Sequence, residues 1–238
     1  MHIHFIIHEY FEPPGAYEAW AKSHAHTITY SRLYQGETLA NDVQDIDFLI
    51  VMGGPQDPVT TTEQCAHFDS KREQAVIRNA IDAEKVVIGV CLGAQLIGEA
   101  LGAQYNHSPE PEIGKFPITL TDAGLAHPLF DHFGKELEVG HWHNDMPGVT
   151  TDAQIIAHSE GCPRQIVAYS DRVFGFQCHM ELTKDVVALL IDNDDLSQAA
   201  RYRFVEEPDV LLSHDYEEMN QKLQEFLDKL QNVYLSKP

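Results

Sequence analysis

Apolar and polar positions along the chain fall into two alternating patterns. Short runs have the length and β-branched content of strands: HIHFIIH (2–8), AHTITY (25–30), DFLIVM (47–52), VVIGV (86–90), PITL (117–120), AQIIAHS (153–159), QIVAYS (165–170) and VFGFQCH (173–179). VVIGV is apolar throughout, which predicts burial on both faces. Between several of these runs lie stretches with helical spacing. AYEAWAKSH (16–24) is one, and CAHFDSKREQAVIRNAIDAEK (65–85) is the longest, with Phe68, Ala75, Val76, Ile77 and Ala80 toward one side. The residues after Cys91 form another, with Leu92, Leu96, Ile97, Ala100 and Leu101 apolar. Near the end, Tyr216, Met219, Leu223, Phe226, Leu227, Leu230, Val233 and Tyr234 make one stripe of an amphipathic helix. That stripe predicts packing against the body of the protein. Contact with a second copy of the chain is the alternative.

Strand–helix alternation predicts an α/β fold: a doubly wound, mostly parallel sheet flanked by helices, flavodoxin-like, with a C-terminal helical extension. From about 103 to 178 strands and turns dominate, which predicts an antiparallel excursion on the same sheet. The expected division is an α/β domain over 1–190 and a helical extension over 191–238, packed on that domain.

Composition narrows the function. A chain of 238 residues with 43% hydrophobic content can bury a sizeable core. Its net charge of −21 argues against nucleic acid and anionic membrane partners. No apolar run is long enough to span a bilayer, and MHIHFIIHEY lacks a basic start, so a cytoplasmic location is expected. Cys65, Cys91, Cys162 and Cys178 are expected to be free thiols, and without a CxxC pair no structural zinc site is expected. His2/His4 and His141/His143 have the H-x-H spacing of metal ligands, but no third ligand is adjacent in sequence, so neither metal nor cofactor is expected.

The candidate chemistry centres on Cys91. G-x-C-x-G after a predicted strand and before a predicted helix is the thiol version of a nucleophile elbow. The turn strains the central residue, and Gly89 and Gly93 supply room. The helix start aims free N–H groups and a positive dipole end at the sulfur, which stabilises a thiolate. The Leu92 N–H points where an oxyanion would form. A buried structural cysteine is the competing reading. A cysteine nucleophile needs a base, and the base needs an orienter. H-x-[DE] occurs at His67/Asp69, His143/Asp145, His158/Glu160 and His179/Glu181. The first falls in a predicted helix, where i and i+2 point apart, and the third runs into a Gly-Cys-Pro turn. His179 and Glu181 end the strand VFGFQCH, which predicts a shared face at the sheet edge that carries the elbow. In VMGGPQDP (51–58), Gly54 could supply a second oxyanion donor, although Gly-Gly-Pro alone suits an ordinary turn.

Together, "VMGGPQDP", "GVCLGAQ" and "FGFQCHMEL", in that order, resemble the class I (triad-type) glutamine amidotransferases over roughly residues 45–182. "HWHNDMP" and "AHSEGCPRQIVAY" fall where that family carries related stretches, and the chain looks most like stand-alone members related to the glutaminase domain of GMP synthase. The resemblance implies that Cys91 attacks the side-chain carbonyl of glutamine, giving a γ-glutamyl thioester, then glutamate and ammonia. It implies that His179 shuttles protons, Glu181 holds its tautomer, and Gly54 and Leu92 bind the oxyanion. It also implies that Gln95 contacts the γ-glutamyl group and that Trp142, His143 and Asn144 contact the α-amino and α-carboxylate groups. The sequence departs from the family at Cys178, Met180 and Asn144, where an aromatic residue, a proline and a glycine are usual.

Three readings follow. In the first, a glutaminase subunit feeds ammonia to a synthetase on another polypeptide, since S-G-G-x-D-S and Walker A loops are absent from the sequence. In the second, the same triad hydrolyses a γ-glutamyl peptide or amine. In the third, the fold serves as a non-catalytic regulatory protein.

Overall fold

The structure, a computed structural model, describes residues 1–40 and 42–236. Strand β1 (His2–Ile7) leads to helix α1 (Gly15–Ser23), then β2 (Thr27–Arg32) and β3 (Phe48–Val51). Helix α2 (Ser70–Asp82), strand β4 (Val86–Val90) and helix α3 (Leu92–Ala100) follow. The middle of the chain holds β5 (Asn106–Leu120), the short α4 (Asp122–Ala126), β6 (Glu136–Met146), β7 (Gln154–His158), β8 (Ile166–Ser170) and β9 (Val173–Phe176). After α5 (Lys184–Asn193) come β10 (Phe204–Val205), α6 (Pro208–Ser213) and α7 (Glu217–Ser236).

The strands form one sheet in the order β10-β5-β7-β8-β9-β4-β3-β1-β2, with β6 paired to β5. From β2 through β1, β3 and β4 to β9 the pairing is parallel. From β9 through β8 and β7 to β5 and β6 it is antiparallel, the excursion expected for the middle of the chain. Period-two alternation divides the core. Phe48 and Ile50 of β3, with Val86 and Ile88 of β4, join α1 and α7 on one face. Leu49, Val51 and Val87 face α2 and α3 on the other. VVIGV is buried at every position, as its unbroken apolarity predicted.

Three local differences from the sequence reading have clear causes. Helix α2 starts at Ser70 because the Asp69 side chain caps it by accepting from the Arg72 N–H, so His67 lies outside the helix. Ala75 is exposed, and Glu73 and Gln74 occupy the buried face instead. Strand β9 ends at Phe176, so residues 177–181 leave the sheet before reaching His179. Among the described residues no helix is long and apolar enough to cross a membrane.

Helix α7 lays Met219, Leu223, Phe226, Leu227 and Leu230, all fully buried, into the same core as β1, β3 and β4. The ring of Phe226 lies 5.0 Å from that of Phe130, 5.3 Å from Phe174 and 5.2 Å from Phe176. Phe226→Ala should therefore cost about 3–5 kcal/mol, read as a lower midpoint in urea unfolding at unchanged slope.

Candidate functional site

Strand β4 and helix α3 meet at Cys91, whose backbone is held at φ 50 and ψ −109. Such a backbone is strained for a non-glycine residue. The surrounding chain leaves it no alternative. A Cβ on Gly89 would run into the backbone of Gly93, and one on Gly93 would run into the carbonyl of Val51 in the neighbouring strand. Strand, elbow and helix therefore cross at backbone contact. The Cys91 N–H donates to the carbonyl of Phe176 at 2.8 Å, which ties the elbow to β9. Cys91 is 7% exposed, and it lines a cavity of about 220 Å³. Its Sγ lies 3.8 Å from the Trp142 carbonyl.

Beyond the end of β9, the His179 N–H donates to the Gly140 carbonyl at 2.8 Å, and this bridge to β6 replaces the strand pairing the sequence suggested. The imidazole Nδ1 lies 2.7 Å from Glu181 Oε1. Nε2 is buried without a hydrogen-bond partner. Burial opposes a charge on this ring, but the Glu181 carboxylate and the Cys91 thiol outweigh it and hold the pKa of His179 well above its ordinary value. His179 and Glu181 are brought together with Cys91, whereas His158/Glu160 and His67/Asp69 are not. Cys178 and Met180 point into the apolar core.

The Gly53–Gly54 loop is held from behind by two residues that the sequence reading missed. His8 Nδ1 donates to the Gly53 carbonyl at 2.8 Å, and His8 Nε2 donates to Glu73 Oε2 at 2.8 Å. Both side chains are fully buried. Burial works against a charge on His8, yet Glu73 prevails and the histidine's pKa is raised. The peptide is trans, so fixing the Gly53 carbonyl toward His8 turns the Gly54 N–H the opposite way. Neither the Gly54 N–H nor the Leu92 N–H donates a hydrogen bond among the described residues. Glu73 was detectable in principle, since a carboxylate three residues before Val76 falls on the apolar stripe of α2.

Gln95, Trp142, His143 and Asn144 line the same cavity as Cys91 and Gly54. Behind that wall, Glu112 Oε2 accepts from Ser159 at 2.8 Å and from Gln165 at 2.6 Å, and lies 3.3 Å from His143 Nε2. His141 is nearby, with Nδ1 3.8 Å from the same oxygen, and burial pushes its pKa down to about 3. Glu112, His141 and His143 thus form a buried trio with metal-ligand atoms, joined among the described residues by the more open Glu9/Cys65/His67 and Asp131/His132/Glu225. Hydrogen bonds from Ser159 and Gln165 account for the geometry around Glu112, which fixes the turn behind the cavity wall. All four cysteines are free.

Residues 18–193 match the family model of class I glutamine amidotransferases. The glutamine amidotransferase-like protein YfeJ of Salmonella typhimurium is 53% identical, over 97% of each chain. The crystal structure of SMU.1228c superposes with a TM-score of 0.96 at 45% identity, covering 97% of this chain and 100% of that one. GMP synthase of Salmonella typhimurium is 30% identical over 65% of this chain, a match that spans 29% of the synthase.

His8→Ala would leave Glu73 buried without its cation and release the Gly53 carbonyl. The expected cost is about 3–5 kcal/mol in urea unfolding. Adding Glu73→Ala should lose much less than the sum of the two single variants, because the unpaired carboxylate is gone.

Proposed function

The chain belongs to the class I glutamine amidotransferase family, and from that premise we propose that it hydrolyses the γ-amide of glutamine through a thioester on Cys91. The observation that carries this reading is the buried His179–Glu181 pair, closed at 2.7 Å, whose free Nε2 belongs to a ring that feels the charge of the Cys91 thiol.

The raised pKa of His179 favours an imidazolium beside the sulfur, and that charge stabilises a thiolate. The thiolate attacks the amide carbon, and the carbonyl oxygen becomes an oxyanion facing the N–H groups of Gly54 and Leu92. His179 Nε2 gives its proton to the leaving nitrogen as the C–N bond breaks. Ammonia departs and the γ-glutamyl thioester remains. Water then attacks the thioester and passes its proton back to His179. The C–S bond breaks and glutamate leaves. Glu181 keeps the imidazole oriented and offsets its positive charge. Gln95 and the Trp142–Asn144 segment hold the glutamyl group. A separate synthetase would receive the ammonia.

Release of glutamate from glutamine measures the reaction. Cys91→Ala should lower it by about 10³-fold or more while leaving the fold intact by circular dichroism. An electrophilic glutamine analogue should add its mass to the Cys91 peptide of the wild type. A Cys91→Ala variant that retained the rate would defeat the proposal.

The sign of the pH effect is also set. Glu181 holds a proton on His179, so the alkaline limb of kcat/KM marks loss of that proton. Glu181→Gln removes the charge that raises the pKa, and the limb should move to lower pH with a rate about 10²-fold or more below wild type.

A further inference from the structure

The loop between β1 and α1 carries a carboxylate that this mechanism leaves without a task. Glu12 lines the Cys91 cavity, and its side chain has no hydrogen bond or ion pair among the described residues. It lies over the face of Gly53, where a Cβ would collide with Glu12 Oε2 and stand 3.3 Å from His179 Cε1. The carboxylate thus flanks the imidazole that protonates the leaving nitrogen.

The rest of the wall has the same sign. Asp145 and Asp194 also line the cavity, and among the described residues neither Lys nor Arg does. These two are engaged: His107 bonds to Asp145 at 2.6 Å, and the Trp142 indole N–H donates to Asp194 at 2.8 Å. Of these three carboxylates, Glu12 is the one without a hydrogen bond or ion pair among the described residues. Gln95, which is 3% exposed, presents a buried Oε1 that accepts no hydrogen bond. The cavity therefore offers one free carboxylate, an acceptor that departing ammonia does not need.

We propose that this cavity takes γ-glutamyl amides whose leaving amine carries a second, positively charged nitrogen, as in an aliphatic diamine, and that Glu12 receives that cation. The inference rests on the thioester chemistry described above and assigns its leaving group. The amide C–N bond breaks, the nitrogen takes the His179 proton, and the diamine leaves with its distal ammonium still charged. Water completes hydrolysis of the Cys91 thioester to glutamate. Burial raises the pKa of Glu12 to about 7, with Glu181 and Glu9 adding to the rise and His179 and His8 opposing it. A bound ammonium relieves that penalty by supplying the missing partner.

The experiment compares two amides of equal length, γ-glutamyl-1,4-diaminobutane and γ-glutamyl-pentylamine, by glutamate release from the full chain. The wild type should favour the charged amide by about tenfold or more in kcat/KM, mainly through KM. Glu12→Gln should pull that ratio toward one, and Glu12→Asp should give an intermediate ratio, which guards against a variant that fails to fold. Equal rates on the two amides in the wild type overturn the inference, as does a Glu12→Gln variant that loses both substrates in proportion. In those cases release from the neutral amide, with an acyl adduct on Cys91, leaves the thioester reading standing. No release and no adduct from either amide would remove both.

Discussion

The site depends on one backbone crossing. Gly89 in β4, Gly93 in α3 and the carbonyl of Val51 in β3 approach so closely that no side chain fits among them. That contact forces Cys91 into its positive-φ conformation, a strain of about 1–3 kcal/mol. The strain is held by structure that cannot relax locally. Strand β4 is buried at all positions, and the Cys91 N–H is bound to β9. From this crossing follow the projection of the sulfur into the cavity, the free Leu92 N–H beside it and the adjacency of the Gly53–Gly54 loop at the end of β3. A larger residue at either glycine would alter all three together.

Around the crossing stand the buried histidine–carboxylate pairs His8–Glu73, His143–Glu112 and His179–Glu181, which differ in how fully they are bonded. His8 uses both nitrogens, on Glu73 and on the Gly53 carbonyl, and behaves as a clamp. His143 uses Nε2 on Glu112 and Gln165, whose network braces the far wall, and its Nδ1 has no partner among the described residues. His179 uses one nitrogen on Glu181 and leaves the other empty. An unpaired buried nitrogen is costly, and it persists here because the neighbouring structure fixes the ring. The same chemical unit thus serves as a clamp at His8, where it is saturated, while His143 and His179 each keep one open nitrogen, and only that of His179 belongs to a ring beside Cys91.

Much of this was legible in the sequence because it rests on local pattern. The strands near the parallel half appear as apolar runs, and the elbow appears as glycines at fixed offsets from Cys91. What was missed depends on tertiary placement. Strand β6, ELEVGHWHNDM, carries polar residues at many positions and lies off the main path of the sheet, where β5 is the one strand paired to it among the described residues. The expectation that His179 and Glu181 share a strand face reached the right pair by a different geometry, since β9 stops at Phe176 and a bridge to Gly140 positions the ring. His8 and Glu73 are 65 residues apart and meet only because α2 packs beside the end of β1. Glu12 reads as an ordinary loop carboxylate until Gly53 is seen beneath it.

The placement of charge in the cavity bears on binding more directly than the net charge of −21. Glutamine is a zwitterion, and its α-carboxylate needs donors. Among the described residues the wall contains neither Lys nor Arg, so in the proposed complex neutral groups of the Trp142–Asn144 segment would serve, the Trp142 indole being already committed to Asp194. Neutral donors bind an anion less strongly than a guanidinium does. The opposite holds for cations, because Glu12 and Glu181 both bias the neighbourhood of His179 toward positive charge. In the proposed reaction, a site with weak anion contacts and an uncommitted carboxylate beside His179 would discriminate by what leaves. Its selectivity would be set on the nitrogen side of the scissile amide, the side on which His179 would deliver a proton.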